Sequence, residues 1–319
     1  MTRAIKIYLV RLKEIFQNIG SFPYTFILNH LKFWIFSLRV NLKISNELYE
    51  RKHNIYILKW VEAKYGNLFP SKFPQSQHTK INTIKELPIW VCWLQGEKNM
   101  PELIQLCYNS IKRNANGRPV KFISSDNIEE YIEIPAFLKE KLKKGFIGYA
   151  NYTDVLRLML LYKYGGTWID STIYLSDKLD DSWRNPLFSS IKLNTQNRQY
   201  TISQYKWATF YLFAYPQSPA IKCFMDILLT YWKDDHKKII DYFLIDYVFE
   251  ILYRKNFEFK KCIDSTPYNQ EQVYDLQKKL NSPYQEIKLF NKSTYIYKLN
   301  RKAQIKSGNT IYQYLKNIK

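Results

Sequence analysis

Several features that mark common protein classes are scarce or absent in this chain of 319 residues. It has only 9 glycines and no internal repeat at a fixed period, which argues against loop-heavy and repeat architectures. No GxGxxG, GxxxxGK[ST] or HExxH pattern occurs. The sequence therefore gives no support to a dehydrogenase, a P-loop nucleotidase or a metalloprotease.

Cysteine is also scarce, and its spacing excludes the usual cysteine chemistry. The chain holds Cys92, Cys107, Cys223 and Cys262, and no two of them form a CxxC pair. Such isolated cysteines disfavour a metal or redox site. Because three of them have apolar neighbours, we predict buried thiols in a reducing compartment.

Acidic residues are few beside the basic ones. The chain has 28 Asp and Glu against 48 Lys and Arg, which gives a formal net charge of +20. An excess of this size predicts an anionic partner: nucleic acid, anionic lipid or a phosphorylated substrate. The lysines are spread over the whole chain without an RNA-binding motif. We therefore expect an anionic membrane surface as a partner and no nucleic acid.

No long apolar run is free of charge. The segment 19–42 is aromatic and apolar, but it carries His30, Lys32 and Arg39, so it does not predict a membrane-spanning helix. Nor does it resemble a signal peptide. Its apolar residues have helical spacing, which suits a helix at a membrane interface or one packed on the rest of the chain. We predict a helical, basic, aromatic N-terminal extension over 1–80 and one domain over 81–319.

The pattern beyond the extension predicts an α/β fold. Apolar residues make up 46% of the chain, enough for a sizeable core. Strands predicted at 88–94 and 120–124 flank a helix predicted from 100–102 to about 113, as in the first half of a Rossmann-like sheet. The remaining predictions are helices at 135–144, 152–163, 219–233 and 239–254, and strands at 167–169, 207–215 and near 286–297. We thus expect a Rossmann-like mixed sheet flanked by helices.

Residues 148–175 are the most informative stretch. Asp154 and Arg157 lie three apart on an apolar helix with Thr153 as the predicted N-cap, so both can point the same way. Asp170 follows a short buried strand, and ligands of open α/β sheets bind at the carboxyl ends of strands. Two acids and an arginine would then meet in one crevice, which suits a nucleotide sugar. A structural salt bridge between Asp154 and Arg157 is the alternative.

The same stretch resembles the bacterial capsular polysaccharide synthesis glycosyltransferases, which are related to the DXD sugar transferases of GT-A fold. The resemblance covers about residues 50–315. Its specific part is Asp-x-x-Arg, then Tyr-Gly-Gly, then Asp. These residues are Asp154, Arg157, Tyr164, Gly165, Gly166 and Asp170. A further match covers 87–96, and weaker ones cover 240–246 and 298–302.

The resemblance implies a GT-A domain over 81–319 that moves a hexose, with retention, from a UDP-linked donor to a lipid-linked capsular repeat unit. It implies a peripheral position at the cytoplasmic face of the cell membrane. Asp154, Arg157, Asp170 and an aromatic residue, for which we choose Trp93, would bind the donor. Lys298 and Lys302 would neutralise the departing diphosphate. Asp154, Asp170 and Asp246 are the expected catalytic residues. Either Asp241 or Asp246, on the helix predicted at 239–254, could lie near the acceptor, and we choose Asp246 because it lies in an apolar run.

One departure from the DXD pattern leaves metal dependence open. The chain reads Asp170-Ser171-Thr172, and a threonine hydroxyl is a poor ligand for Mn²⁺ or Mg²⁺. Asp170 is the candidate metal ligand, and the basic residues near 298–302 are the alternative source of positive charge. Three other functions stay open: a non-catalytic saccharide-binding scaffold, a sugar-phosphate transferase acting on a lipid carrier, and transfer from a cytidine-linked donor.

Overall fold

The structure is a computed structural model of the chain. It describes residues 5, 9–10, 12–13, 15–16, 19–20, 22–37, 42–74, 83–193, 201–268, 270–284, 289–290 and 293–318, with the backbone alone at 33, 36–37 and 42–49.

A mixed sheet forms the centre of the fold and confirms the predicted fold class. The strands are β1 (Ile89–Cys92), β2 (Val120–Ile123), β3 (Gly166–Ile169), β4 (Ile173–Leu175), β5 (Ser189–Ser190), β6 (Tyr211–Ala214) and β7 (Ile296–Lys298). The sheet order is β2-β1-β3-β6-β5, and β4 pairs with β7 in a separate ribbon. The first three strands of the large sheet are parallel, whereas β6 runs antiparallel to β3 and β5.

Helices surround this sheet. Those with described bounds are α1 (Tyr24–Ser37), α2 (Leu42–Tyr65), α3 (Glu102–Arg113), α4 (Ile128–Tyr131), α5 (Ala136–Lys143), α6 (Tyr149–Tyr164), α7 (Pro219–Lys233), α8 (Leu244–Lys255), α9 (Phe257–Ser265), α10 (Asp275–Lys279) and α11 (Ile311–Asn317). Among the described residues, no helix is both long and apolar enough to cross a membrane.

Alternation along the strands divides the core between the two faces of the sheet. Trp90 of β1 packs in the cluster that contains α6, α7 and α8, whereas Ile89 and Val91 pack on the opposite face with α3. The sheet is thus buried on both sides, as expected for its parallel strands. All four cysteines are free and buried, as predicted.

Two glycines join α6 to β3 where no side chain would fit. The helix ends at Tyr164, and Gly165 and Gly166 have φ angles of +65° and +99°. A Cβ on Gly166 would lie 2.2 Å from the carbonyl oxygen of Pro88. This close approach lets β3 pair with β1, and it fixes the distance between the end of α6 and the carboxyl end of β3.

Some predicted boundaries were wrong. Thr153 lies inside α6, and its hydroxyl donates to the carbonyls of Tyr149 and Ala150, while Gly148 is the N-cap. The strand predicted at 207–215 is limited to β6. The helix predicted at 239–254 begins at Leu244, so Asp241 lies in the preceding turn. Part of the segment 70–87 and part of the segment 286–297 lie outside the described residues.

The N-terminal helices pack on the rest of the chain. In α2, Ile57 and Val61 are fully buried in the same cluster as α6, α7 and α8. Phe26 of α1 is also buried there. This packing is the second of the two arrangements considered for the basic aromatic segment, and it places α1 and α2 beside the turn that precedes α8. The boundary near residue 80 stays a prediction.

Candidate functional site

Asp170 meets a lysine from a distant part of the chain at the end of β3. It directly follows the strand, and its amide donates to the carbonyl of Phe210 at 3.0 Å. The pairing of β4 with β7 sets Ile173 opposite Lys298. Lys298 Nζ consequently lies 2.6 Å from Asp170 Oδ2. The structure therefore brings these two predicted site residues together.

Arg157 links both predicted carboxylates from the facing side of α6. Its Nη2 atom lies 2.9 Å from Asp154 Oδ1 and 3.6 Å from Asp170 Oδ1. Its Nη1 atom donates to the carbonyl of Thr209 at 2.5 Å, and its guanidinium lies 5.1 Å from the ring centre of Trp168. The i,i+3 ion pair between Asp154 and Arg157 that the sequence suggested is present. Arg157 also lies close to Asp170 at the end of β3.

Trp168 is a part of this cluster that the sequence reasoning missed. Its ring is buried, and its Nε1 donates to Asp170 Oδ1 at 2.9 Å. Residues two apart on an extended chain project to the same side, so Trp168 and Asp170 share a face. That alternation was the available signal. We name Asp154, Arg157, Trp168, Asp170 and Lys298 the carboxylate cluster.

The two acids of the carboxylate cluster differ in proton affinity. Burial raises the pKa of Asp154 to about 6, although Arg157 opposes the shift. Burial would also raise the pKa of Asp170, but Lys298 and then Arg157 outweigh it and hold that pKa at about 2. Asp170 is thus a fixed anion at neutral pH, and Asp154 titrates close to the physiological range.

Asp246 is a third acid, buried in the first turn of α8. It is 7% exposed, and the indole Nε1 of Trp207 donates to its Oδ1 at 2.9 Å. Burial raises the pKa of Asp246 to about 7, and the negative charge of Asp154 adds to the shift. An acid poised near neutrality can hold or release a proton at working pH.

A cavity of about 850 Å³ adjoins the carboxylate cluster. Asp246 and Trp207 line it, together with Thr209 and Phe210. The carbonyl of Thr209 accepts a hydrogen bond from Arg157, and the carbonyl of Phe210 accepts one from the amide of Asp170. The carboxylate cluster therefore lies directly behind this wall of the cavity. A cavity of this size can hold a sugar and part of what it is attached to.

Tyr242, which is 60% exposed, connects the cavity to the carboxylate cluster through its backbone. It lines the cavity, and its carbonyl accepts from Asn151, whose amide also contacts Asp154. Partial burial raises the pKa of Tyr242, and the charges of Asp154 and Asp170 add to this, while Arg157 and then Arg301 lower it. The phenol therefore lies within electrostatic range of both acids and both arginines. Tyr242 and Arg301 both lie in segments that the sequence analysis matched to the family, 240–246 and 298–302.

Other predicted residues lie apart from this cluster. Trp93 is half-buried just beyond β1, and its Nε1 donates to the carbonyl of Asn99 at 3.3 Å. Lys302 is exposed in the loop after β7. Neither is among the described residues that line the cavity. Their roles in donor binding stay predictions.

Among the described residues, those around Asp170 do not by themselves form a site for a divalent cation. Both oxygens of Asp170 already have partners, Trp168 on one side and Lys298 on the other. The hydroxyl of Thr172 is buried without a hydrogen-bond partner among the described residues, but it is a weak ligand. Within the described part of the chain, no three His, Cys, Asp or Glu side chains converge to hold a metal.

Replacing Asp246 with asparagine is expected to stabilise the protein above neutral pH. The folded state keeps a proton on Asp246 up to about pH 7, whereas the unfolded acid loses it near 3.8, so stability falls as pH rises between these values. Asparagine mimics the protonated acid and can still accept from Trp207. We expect a gain of about 1–3 kcal/mol at pH 8 that shrinks toward pH 4, measured by urea unfolding. A difference that does not change with pH would contradict the buried-acid assignment.

The fold and the carboxylate cluster define an α/β protein with a candidate polar ligand site at the carboxyl end of a central strand. The family model described as capsular polysaccharide synthesis protein matches residues 38–318. The chain therefore belongs to the capsular polysaccharide synthesis protein family.

The other comparisons add little. No curated protein matches the chain. A solved structure titled PaToxG Glycosyltransferase is 16% identical, with 66% of this chain and 79% of that chain covered and a TM-score of 0.38. The family assignment does not depend on this weak similarity.

Proposed function

We propose that this protein is a glycosyltransferase that moves a hexose from a nucleotide sugar, preferably UDP-linked, to a growing, lipid-linked cell-surface polysaccharide. The observation that carries the proposal is the carboxylate cluster, where Asp154, Arg157, Asp170 and Lys298 converge at the end of β3 beside a large cavity. Membership of the capsular polysaccharide synthesis family supports the same conclusion.

The charges of the cluster suit a sugar diphosphate. Asp154 and Asp170 offer carboxylate oxygens to sugar or ribose hydroxyls, while Arg157 and Lys298 can face the phosphates. Negative charge builds on the leaving diphosphate during transfer, so cations already fixed nearby stabilise the transition state. We derive no step through a metal ion, because Lys298 already holds the carboxylate oxygen that a cation would need.

Asp246 suits the acceptor side of the reaction. It lines the cavity, and its pKa near 7 allows it to accept a hydrogen bond, and then a proton, from the attacking hydroxyl. By resemblance to retaining transferases, we propose attack on the same face as the departing UDP, which gives an α-linked product from a UDP-α-sugar. Trp93 is proposed to stack on the base of the donor.

The N-terminal region supports a further proposal, contact with an anionic membrane at the inner face of the cell. Its described residues expose large apolar side chains, in a chain whose net charge is +20. They are Ile5, Leu9, Val10, Phe16, Ile19, Tyr24 and Ile35. Apolar contact and attraction to anionic lipid reinforce each other at such a surface.

The proposal is tested by UDP release from a panel of UDP-sugars, with and without a saccharide acceptor, in Mn²⁺ and in EDTA. We expect turnover with at least one donor, and rates in EDTA within about twofold of those in Mn²⁺, because protein cations supply the charge. NMR of the product is expected to show an α linkage. No turnover with any donor, combined with saccharide binding, would favour the non-catalytic scaffold, and release from cytidine-linked donors alone would change the donor class.

A further inference from the structure

A chain of hydrogen bonds runs from the N-terminal helices to the wall of the cavity. His30 Nδ1 of α1 donates to the carbonyl of Phe26 at 2.9 Å. His30 Nε2 lies 2.6 Å from His53 Nδ1 of α2. His53 Nε2 lies 2.6 Å from Asp241 Oδ2, in the turn before α8. Neither histidine belongs to the residues that the family resemblance supplied.

The carbonyl at one end of this chain fixes where its protons lie. A carbonyl can only accept, so His30 Nδ1 must carry a proton. Burial, then the neighbouring His53, lowers the pKa of His30 to about 4, so His30 is a neutral ring with its proton on Nδ1. His30 Nε2 is then an acceptor, and His53 Nδ1 donates to it across the 2.6 Å contact. The other nitrogen of His53, Nε2, faces the carboxyl group of Asp241.

The packing of α2 explains why His53 stands there. His53 lies one helical turn before the fully buried Ile57, and Val61 follows one turn later. The side chain is therefore on the buried face of the helix and is only 15% exposed. The next residue of α2, Asn54, accepts a hydrogen bond from the hydroxyl of Tyr247, the residue that follows Asp246. Through His53 and Asn54, α2 thus contacts both ends of the cavity wall that contains Asp241 and Asp246.

Asp241 connects His53 to the turn before α8, and that turn contacts the carboxylate cluster. Its Oδ1 accepts from the amide of Phe243 at 2.7 Å, which closes the turn around Tyr242. The carbonyl of Tyr242 accepts from Asn151 at 3.1 Å, and the same amide lies 3.4 Å from Asp154 Oδ2. Each link is a contact between neighbours, so the path from His53 to Asp154 is continuous.

We propose that His53, oriented by His30, is a positioning residue for sugar transfer: it holds Asp241 and thereby fixes the turn in which Tyr242 connects the acceptor cavity to Asp154. The inference rests on the proposed transferase function and deepens it. The N-terminal helix pair is then part of the acceptor site.

A second histidine in the same region provides a matched control. His236 also joins α2 to the segment before α8, since its Nε2 lies 2.9 Å from Lys64 Nζ and 3.2 Å from the hydroxyl of Tyr65. His30, His53 and Asp241 line the cavity, whereas His236 is outside the set of described residues that do so. Loss of His236 should weaken helix packing without moving Tyr242.

The experiment compares His53→Phe, Asp241→Asn, their combination and His236→Gln in the full-length enzyme, with the donor selected by the panel. For His53→Phe and Asp241→Asn we expect kcat for transfer to fall about tenfold and the acceptor KM to rise, while the donor Kd stays within twofold. The double variant should lose no more than either single one, because both break the same chain. His236→Gln should lower the unfolding temperature but keep kcat.

Hydrogen exchange adds a readout that does not need turnover. The amide of Phe243 should lose protection in His53→Phe and keep it in His236→Gln. Equal effects of the two histidine variants on kcat and on exchange, or additive losses in the double variant, would overturn the positioning role while leaving the transferase standing. A wild-type enzyme that releases no UDP with any donor would instead overturn the transferase, and the positioning role with it.

Discussion

Replacing Asp170 with asparagine is expected to lower kcat for sugar transfer by about 10³-fold, or roughly 4 kcal/mol. The change keeps the shape of the side chain but removes a charge that faces Lys298 at 2.6 Å and Arg157 at 3.6 Å. Both cations would then lack the anion that orients them, and the donor would lose a carboxylate acceptor. UDP release under saturating donor and acceptor measures the effect.

An exposed aspartate outside the carboxylate cluster provides the control. Asp177 follows β4, and its Oδ1 accepts from the amide of Lys178 at 2.7 Å. Asp177→Asn should leave kcat within about twofold, because a surface charge in solvent has little effect on a distant site. Turnover that survives Asp170→Asn at the level of this control would refute the role of the carboxylate cluster.

In Asp170→Asn, a loss of stability must be separated from a loss of catalytic activity. The pKa of Asp170 is held at about 2, below its ordinary value of 3.8, so the ionised acid stabilises the fold above the unfolded pKa and this stabilisation is lost as pH falls toward 2. The asparagine variant should therefore be less stable at neutral pH by on the order of 2 kcal/mol. Assays well below the unfolding temperature remove this contribution.

Much of the carboxylate cluster could be predicted because its determinants are local. The i,i+3 spacing of Asp154 and Arg157 and the position of Asp170 after a buried strand both follow from element geometry. The Gly165-Gly166 pair, which no residue with a Cβ could replace at the second position, fixes the distance between these two elements. The position of Trp168 followed from the same alternation and could also have been read from the sequence.

The rest depends on pairings between distant segments. Lys298 reaches Asp170 only through the register of β4 with β7, and the sequence pointed to it by resemblance alone. His53 meets Asp241 across 188 positions of the chain, and neither residue carries a local mark of that contact. Asp241 was predicted inside a helix, but its side chain accepts from the amide of Phe243 and so favours a turn instead.

Replacing Arg157 with glutamine is expected to lower the free energy of unfolding by about 3–5 kcal/mol and to abolish transfer. The Arg157 side chain is only 7% exposed and contacts Asp154, Asp170, Trp168 and the carbonyl of Thr209. Its loss leaves the largely buried carboxylate of Asp154 without its ion-pair partner. Because Arg157 opposes the rise that burial causes in the pKa of Asp154, that pKa should rise further, and the acid should become protonated near neutral pH.

A double variant distinguishes this unpaired charge from simple loss of packing. Arg157→Gln with Asp154→Asn removes both charges, so urea unfolding should show that part of the lost stability returns while activity does not. The pair of the exposed Arg254 with the buried Glu250 is the control. Its arginine is 59% exposed and Glu250 keeps Lys206 as a partner, so Arg254→Gln should cost less than about 1 kcal/mol. If the double variant is no more stable than Arg157→Gln, the arginine acts through packing, and the electrostatic account of the carboxylate cluster is wrong. Recovery of stability in the double variant would assign the loss in Arg157→Gln to the unpaired charge of Asp154. Its lack of turnover is expected because both residues belong to the carboxylate cluster.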